Sequence, residues 1–248
     1  MSSQALKAQQ LEKVKKLTAI TNLSERDAIK RLKGTNWDLS VAINLYFEAQ
    51  PDTASNCDLK AIQKMFEKYQ DPDKEGIITV EGTMQFCQAI GIEPTQLEFL
   101  LLSYHFGSER MGEFARDAFV HGCLRLQCDS IQKLADTIPN LRQQLDDLDQ
   151  FREIYNFAFL LGRQTGQKSL SLEAAVELWR LLLSDRFSLL EQWITFLEEK
   201  HGKAISRDTW NLFFEFAMQP DLNLNTHDSE GAWPILIDEF VEYLKERQ

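Results

Sequence analysis

Glycine and proline are scarce in this chain, at 11 and 6 of 248 residues. Regular alternation of apolar and polar residues is nearly absent as well. Together these shortages exclude a turn-dense sandwich or barrel and leave an all-α reading. Cysteine is sparse: Cys57, Cys87, Cys123 and Cys128 show no framework spacing. That excludes a disulfide scaffold and points to a reducing compartment, nucleus or cytoplasm. Long apolar runs are missing, and no segment approaches the roughly 18–20 residues of a membrane span. The start, "MSSQALKAQQLEKVKKL", lacks the apolar core of a secretory signal. Basic residues are in deficit, 27 against 38 acids, for a net charge of −11. Nucleic acid and anionic membrane surfaces are therefore poor partners, and a basic protein is the natural complement.

Catalytic signatures are missing too. There is no glycine-rich phosphate loop and no dinucleotide fingerprint. None of His105, His121, His201 and His227 sits in a nucleophile motif. Cys87, within "MQFCQAI", lies on an apolar stripe with Phe86 and Ile90, which argues for packing over thiol chemistry. His121, Cys123 and Cys128 lack the paired spacing of a zinc site. Asp71, Asp73, Glu75, Gly76 and Ile78 imitate the first half of a calcium loop. The twelfth position, where such a loop needs a bidentate acid, is Gly82, and Glu81 comes one residue early. We expect no metal, no cofactor and no intrinsic enzyme, with the segment keeping only a helix–loop–helix shape.

What is present is amphipathic helix. In the first fifty residues Leu11, Val14 and Leu17 line one helix. A second opens at Ser24, with Asp27 three residues on, turns Ala28, Ile29 and Leu32 inward, and stops near Gly34. A third runs through "WDLSVAINLYF", burying Leu39, Ala42, Ile43 and Phe47. "AQPDTASNCD" from Ala49 to Asp58 is polar, holds Pro51 and reads as a linker. Helices are dense from Leu59 onward, with a weaker break at Asp146–Gln150. "TQLEFLLLSYHF", Thr95 to Phe106, is apolar around most of its circumference, the pattern of a central core helix. Near the end, Ser206 caps a helix with Asp208 in its first turn and Trp210, Phe213, Phe214 and Ala217 at helical spacing. Pro234 opens the last helix, whose stripe is Trp233, Leu236, Ile237, Phe240, Val241 and Leu244. Its other face carries Asp238, Glu239, Glu242 and Glu246.

"DTWNL" and "EGAWPILIDEFVEYL", with "CDSIQKL", "TGQKSLSLEAAVELW" and "RFSLLEQWITFL", resemble the defective-in-cullin-neddylation family from about Leu59 to the end. The resemblance implies an all-α fold: a potentiating-neddylation domain over 59–248, built of degenerate EF-hand-like units. It implies a non-catalytic scaffold that helps a conjugating enzyme pass a ubiquitin-like modifier to a cullin. The family's Asp, Ala, Asp patch, which takes the cullin's C-terminal winged-helix region, falls on Asp208, Ala232 and Asp238. The pocket for the conjugating enzyme's acetylated N-terminal methionine falls on Val80, Thr83, Cys87, Phe99, Leu102, Phe106, Phe114, Leu161, Leu178 and Leu181. Thr83 and Leu161 are less bulky, and Phe99 larger, than the family's usual residues.

Residues 1–48, closing on "NWDLSVAINLYF", resemble a ubiquitin-associated domain, followed by the linker 49–58. The chain has "AITNLS" where ubiquitin-binding members carry a Met-Gly-Phe-like turn. Ubiquitin as a partner of residues 1–48 stays open, and with it an alternative: a ubiquitin-binding shuttle or adaptor without ligase-promoting activity.

Overall fold

The computed structural model describes residues 8–21, 24–39, 41–42, 57–219 and 233–247. The third helix beyond Ala42, most of the linker and Ala232 lie outside the described residues. In the N-terminal unit, α1 spans Ala8–Thr21 and α2 Glu25–Gly34. Ser24 caps α2 as its sequence indicated, its Oγ accepting from the Asp27 N–H at 3.2 Å. Val14, Leu17, Ala28, Leu32 and Ala42 are buried and Ile29 and Leu39 half-buried. Leu11 departs from the expected stripe. It is 40% exposed, because Val14 and Leu17 already fill the side of α1 that α2 covers.

The larger part begins with α3 (Leu59–Tyr69), capped by the Asp58 carboxylate on the N–H groups of Lys60 and Ala61. Then come β1 (Ile77–Ile78), α4 (Val80–Ile90), α5 (Leu97–His105), β2 (Phe114–Ala115) and α6 (Arg116–Arg125). β1 and β2 pair antiparallel, Ile77 opposite Ala115 and Ile78 opposite Phe114. Two helix–loop–helix units are thus joined through their loops, as in an EF-hand pair. Within the calcium-like loop, protein groups satisfy the first acid. Asp71 accepts from the Asp73 N–H and the Thr79 hydroxyl, both at 2.9 Å, which holds its carboxyl below the usual range. Gly82 leaves no room for any side chain: a Cβ there would lie 2.0 Å from the Tyr69 carbonyl oxygen. The lobe closes around edge-to-face rings, Phe106 on Phe119 at 5.0 Å and Phe86 on Phe119 at 5.4 Å. α5 is the expected central helix, with Leu97 and Phe99 to Ser103 all buried.

α7 (Ile131–Thr137) and a 3₁₀ helix (Ile138–Asp146) lead to a second lobe: α8 (Leu148–Gly162), α9 (Leu172–Leu183), α10 (Leu190–Phe196) and α11 (Arg207–Ala217). Between α8 and α9, Leu170 exchanges both backbone hydrogen bonds with Ile205, which lies between α10 and α11. This single bridge repeats the β1–β2 arrangement, so the second lobe is a second, more degenerate EF-hand-like pair. Its centre is a hydrogen-bonded aromatic stack. Trp179 Nε1 donates to the Tyr155 hydroxyl at 2.7 Å, that hydroxyl donates to the Trp210 carbonyl at 3.0 Å, and Trp210 Nε1 donates to the Tyr155 carbonyl at 3.0 Å. The expected apolar stripe of α11 is wholly buried. α12 (Ile235–Lys245) follows Pro234, which stands at the N-cap one residue before the helix proper.

Candidate functional site

The residues expected to bear on function fall into two groups, an acidic one near the C-terminus and an apolar one centred on the first lobe. At the start of α11 the Ser206 hydroxyl accepts from the Thr209 N–H at 3.0 Å, fixing the first turn. Asp208 stands in that turn, exposed, where its charge meets the positive end of the helix dipole. Asp238 occupies the first turn of α12 and is half-buried. The two helices meet elsewhere: Phe216, near the end of α11, packs edge-on against Trp233 at 6.0 Å and against Phe240 at 6.3 Å. Eight residues of helix, roughly 12 Å, separate Asp208 from that junction. Both acids thus stand in the opening turns of helices that pack together through Phe216. Ala232 lies outside the described residues.

The second group sits mostly in the first lobe. Val80, Thr83 and Cys87 share a face of α4, while Phe99 and Leu102 share a face of α5 that continues to Phe106 at its end. Phe114 on β2 closes against both, 6.1 Å from the Phe99 ring and 5.4 Å from that of Phe106. The Thr83 hydroxyl donates to the Gly112 carbonyl at 2.8 Å and ties α4 to the loop before β2. Leu161, Leu178 and Leu181 come from α8 and α9. These helices pack closely at Gly162, where a Cβ would lie 2.8 Å from Leu178 Cδ1. α5 packs against α8, with Tyr104 on Glu153 and Phe157. Thr83, Cys87, Phe99, Leu102, Phe106, Phe114, Leu161 and Leu178 are buried and Leu181 half-buried.

Val80 is the exception, at 55% exposed, and it has company. Met84, one turn further along α4, is 59% exposed, and Met111 is 46% exposed. Met111 adjoins Gly112, whose backbone is so close that a Cβ would touch Val80 Cγ2 at 3.2 Å. These three expose apolar side chains at the edge of the buried cluster, its candidate doorway. Sequence reasoning missed both methionines. The i, i+4 spacing of Val80 and Met84 could have found one of them. The nearness of Met111 depends on the loop before β2 and has no local signal.

Thiol chemistry is disfavoured throughout. Burial, with Glu93 adding to it, pushes the Cys87 thiol up to about 11. Burial likewise raises Cys123, and the Cys128 sulfur is engaged by the Leu126 carbonyl and the Thr137 hydroxyl. Among the described residues no three histidine, cysteine or acidic side chains converge as metal ligands, and no helix is long and apolar enough to cross a membrane.

Known proteins share this geometry's sequence. A family described as "Cullin binding" matches residues 133–243, which include Asp208 and Asp238, and a family described as "UBA-like domain" matches residues 12–53. A Caenorhabditis elegans protein named "Defective in cullin neddylation protein 1" is 32% identical over 97% of this chain and 92% of its own length. Its Yarrowia lipolytica namesake is 32% identical over 97% and 98%. Human "DCN1-like protein 5" is 36% identical over 74% of this chain and 76% of its own. With this identity running through almost the whole length of the nematode and Yarrowia relatives, the chain belongs to the defective-in-cullin-neddylation family.

Proposed function

We propose that this protein acts in cullin neddylation as a two-site, non-catalytic scaffold. The surface around Asp208, Ala232 and Asp238 takes a basic patch on the cullin's C-terminal winged-helix region. The cluster behind Val80, Met84 and Met111 takes the acetylated N-terminal segment of the conjugating enzyme, an apolar anchor entering a groove. The observation that carries this reading is their separation: the acidic helix starts belong to the C-terminal part and the apolar doorway to the first lobe. One molecule can then hold two partners at once and raise the local concentration of thioester beside the acceptor lysine. Acetylation suits an apolar entrance because it removes an ammonium that is costly to bury. The raised thiols of Cys87 and Cys123 support leaving the transfer chemistry to the conjugating enzyme's cysteine.

A reconstituted assay tests the reading: conjugating enzyme charged with modifier, a cullin, and this protein present or absent. Faster cullin modification that saturates with added protein is expected, and an unchanged rate would refute it. The UBA-like match over residues 12–53 favours a second reading, ubiquitin binding by the N-terminal unit. Titration of the full chain with ubiquitin separates the two, since the scaffold needs no ubiquitin.

A further inference from the structure

The N-terminal unit does not stand apart from the larger part. α1 packs against α6, and beside that contact lies a cleft of about 1140 Å³ with walls from both units. His121, in the middle of α6, lines this cleft, and Lys16 of α1 faces it. We propose that the α1–α6 contact is an acid-releasable latch, in which His121 must be neutral for the N-terminal unit to stay docked.

The charges around His121 give the latch its direction. α1 presents Lys13, Lys15 and Lys16 against a single acid, Glu12, which is already paired with Lys16 at 3.0 Å. Along α6 the neighbours one turn either side are Asp117 and Arg125. The end of α5 and the loop before β2 contribute His105, Arg110, Glu109 and Glu113 to the walls, and the N-terminal unit adds Asp38. A proton on His121 would set a new cation between Lys16 and Arg125, with Asp117 alone opposing it at close range. Burial pushes His121 down to about 4; Asp117 opposes this, and Arg125 and Lys16 add to it.

The sign follows from linkage. Freed of α1, the imidazole loses the Lys16 charge and the share of its burial that α1 supplies, so its value rises and the undocked state binds the proton more readily. Docking is then fully favoured above about pH 6.5 and weakens as pH falls toward 4. Between pH 7.5 and pH 5 the docking constant should drop, by about 30-fold at most if the whole shift is lost on undocking. His105 shares the cleft and is also lowered, chiefly by burial, so the test must isolate His121.

The full chain is used throughout. Imidazole proton shifts, assigned with His121→Gln, give the titration of His121, and small-angle scattering gives the radius of gyration at pH 7.5 and pH 5. We expect His121 to titrate well below 5.5 and the wild-type radius to rise at pH 5. The His121→Gln chain, neutral at both values, should show no rise. His121→Arg, a fixed cation, should be expanded at pH 7.5, with circular dichroism confirming that its helices are intact. If His121→Arg does not fold, the wild-type and His121→Gln pH series decides. An ordinary titration near 6.5, a folded His121→Arg chain as compact as wild type, or equal expansion of wild type and His121→Gln at pH 5 would each overturn the latch.

Discussion

The Thr83 hydroxyl donates to the Gly112 carbonyl at 2.8 Å, and this one bond ties the doorway side of α4 to the loop that carries Met111. Thr83 is 2% exposed, so the bond is made out of water. Thr83→Val keeps the shape and removes the donor, leaving the carbonyl short of a partner. The expected cost is about 1–2 kcal/mol, read as a thermal midpoint lower by roughly 2–8 °C. An unchanged midpoint would show that the hydroxyl contributes nothing to this corner.

Gly82 permits an experiment on the calcium-like loop. Gly82→Glu restores the acid a calcium loop needs, yet its Cβ would meet the Tyr69 carbonyl at 2.0 Å. We expect destabilisation of at least about 2–3 kcal/mol by urea unfolding, from the forced separation of α3 and α4. Added calcium should not recover it. Recovery by calcium would mean that the loop can still close around an ion.

The thiols give a pH dependence with a definite sign. Burial lifts Cys87 to about 11, above the roughly 8.5 of a free thiol. Between those values the unfolded chain gives up the proton and the native chain keeps it, so native stability falls as pH rises through this window. Urea midpoints measured from pH 8 to pH 10.5 should decline, and the decline should be shallower in Cys87→Ala. Identical slopes in the two proteins would remove Cys87 from the account.

The doorway is tested by polar replacement at its rim. Met84 and Met111 are about half exposed, so Met84→Gln and Met111→Gln should change stability by no more than about 0.5 kcal/mol. The double variant should bind an acetylated, methionine-led peptide from the conjugating enzyme at least about tenfold more weakly by calorimetry, because two long apolar side chains no longer cover it. Equal affinity would place the peptide elsewhere.

Much of this was legible from side-chain spacing. Ser24 and Ser206 announce their helices because a cap is a local bond between residues three apart. The stripe of α11 and the inner part of that of α12 read correctly because burial on one helix face has a period of 3.6, and α5 read as a core helix because it is apolar all round. What stayed hidden depends on residues distant in the chain. Leu11 matches the stripe of α1, but periodicity cannot say how wide a face α2 covers. The Leu170–Ile205 bridge joins two residues with no strand pattern around either. Of the site residues, Asp208 stands where its capped first turn put it, whereas the approach of the Gly112 backbone to Val80 and of His121 to α1 exists only once the units have packed.

The central claim is that the acidic surface holds the cullin independently of the apolar pocket. Asp208→Arg with Asp238→Arg tests it most directly in the reconstituted modification assay, with direct cullin binding measured alongside. Asp208 is exposed, so its reversal should cost little beyond the lost dipole interaction, while the half-buried Asp238 should cost more, and unfolding is measured alongside. Cullin binding should weaken by about 2–5 kcal/mol, and by more at low salt, because a basic partner now meets like charge. Binding of the acetylated peptide should be unchanged, and stimulation of cullin modification should vanish. A folded double variant that binds cullin and stimulates modification as wild type does would contradict the account and leave this surface as ordinary solvated acid.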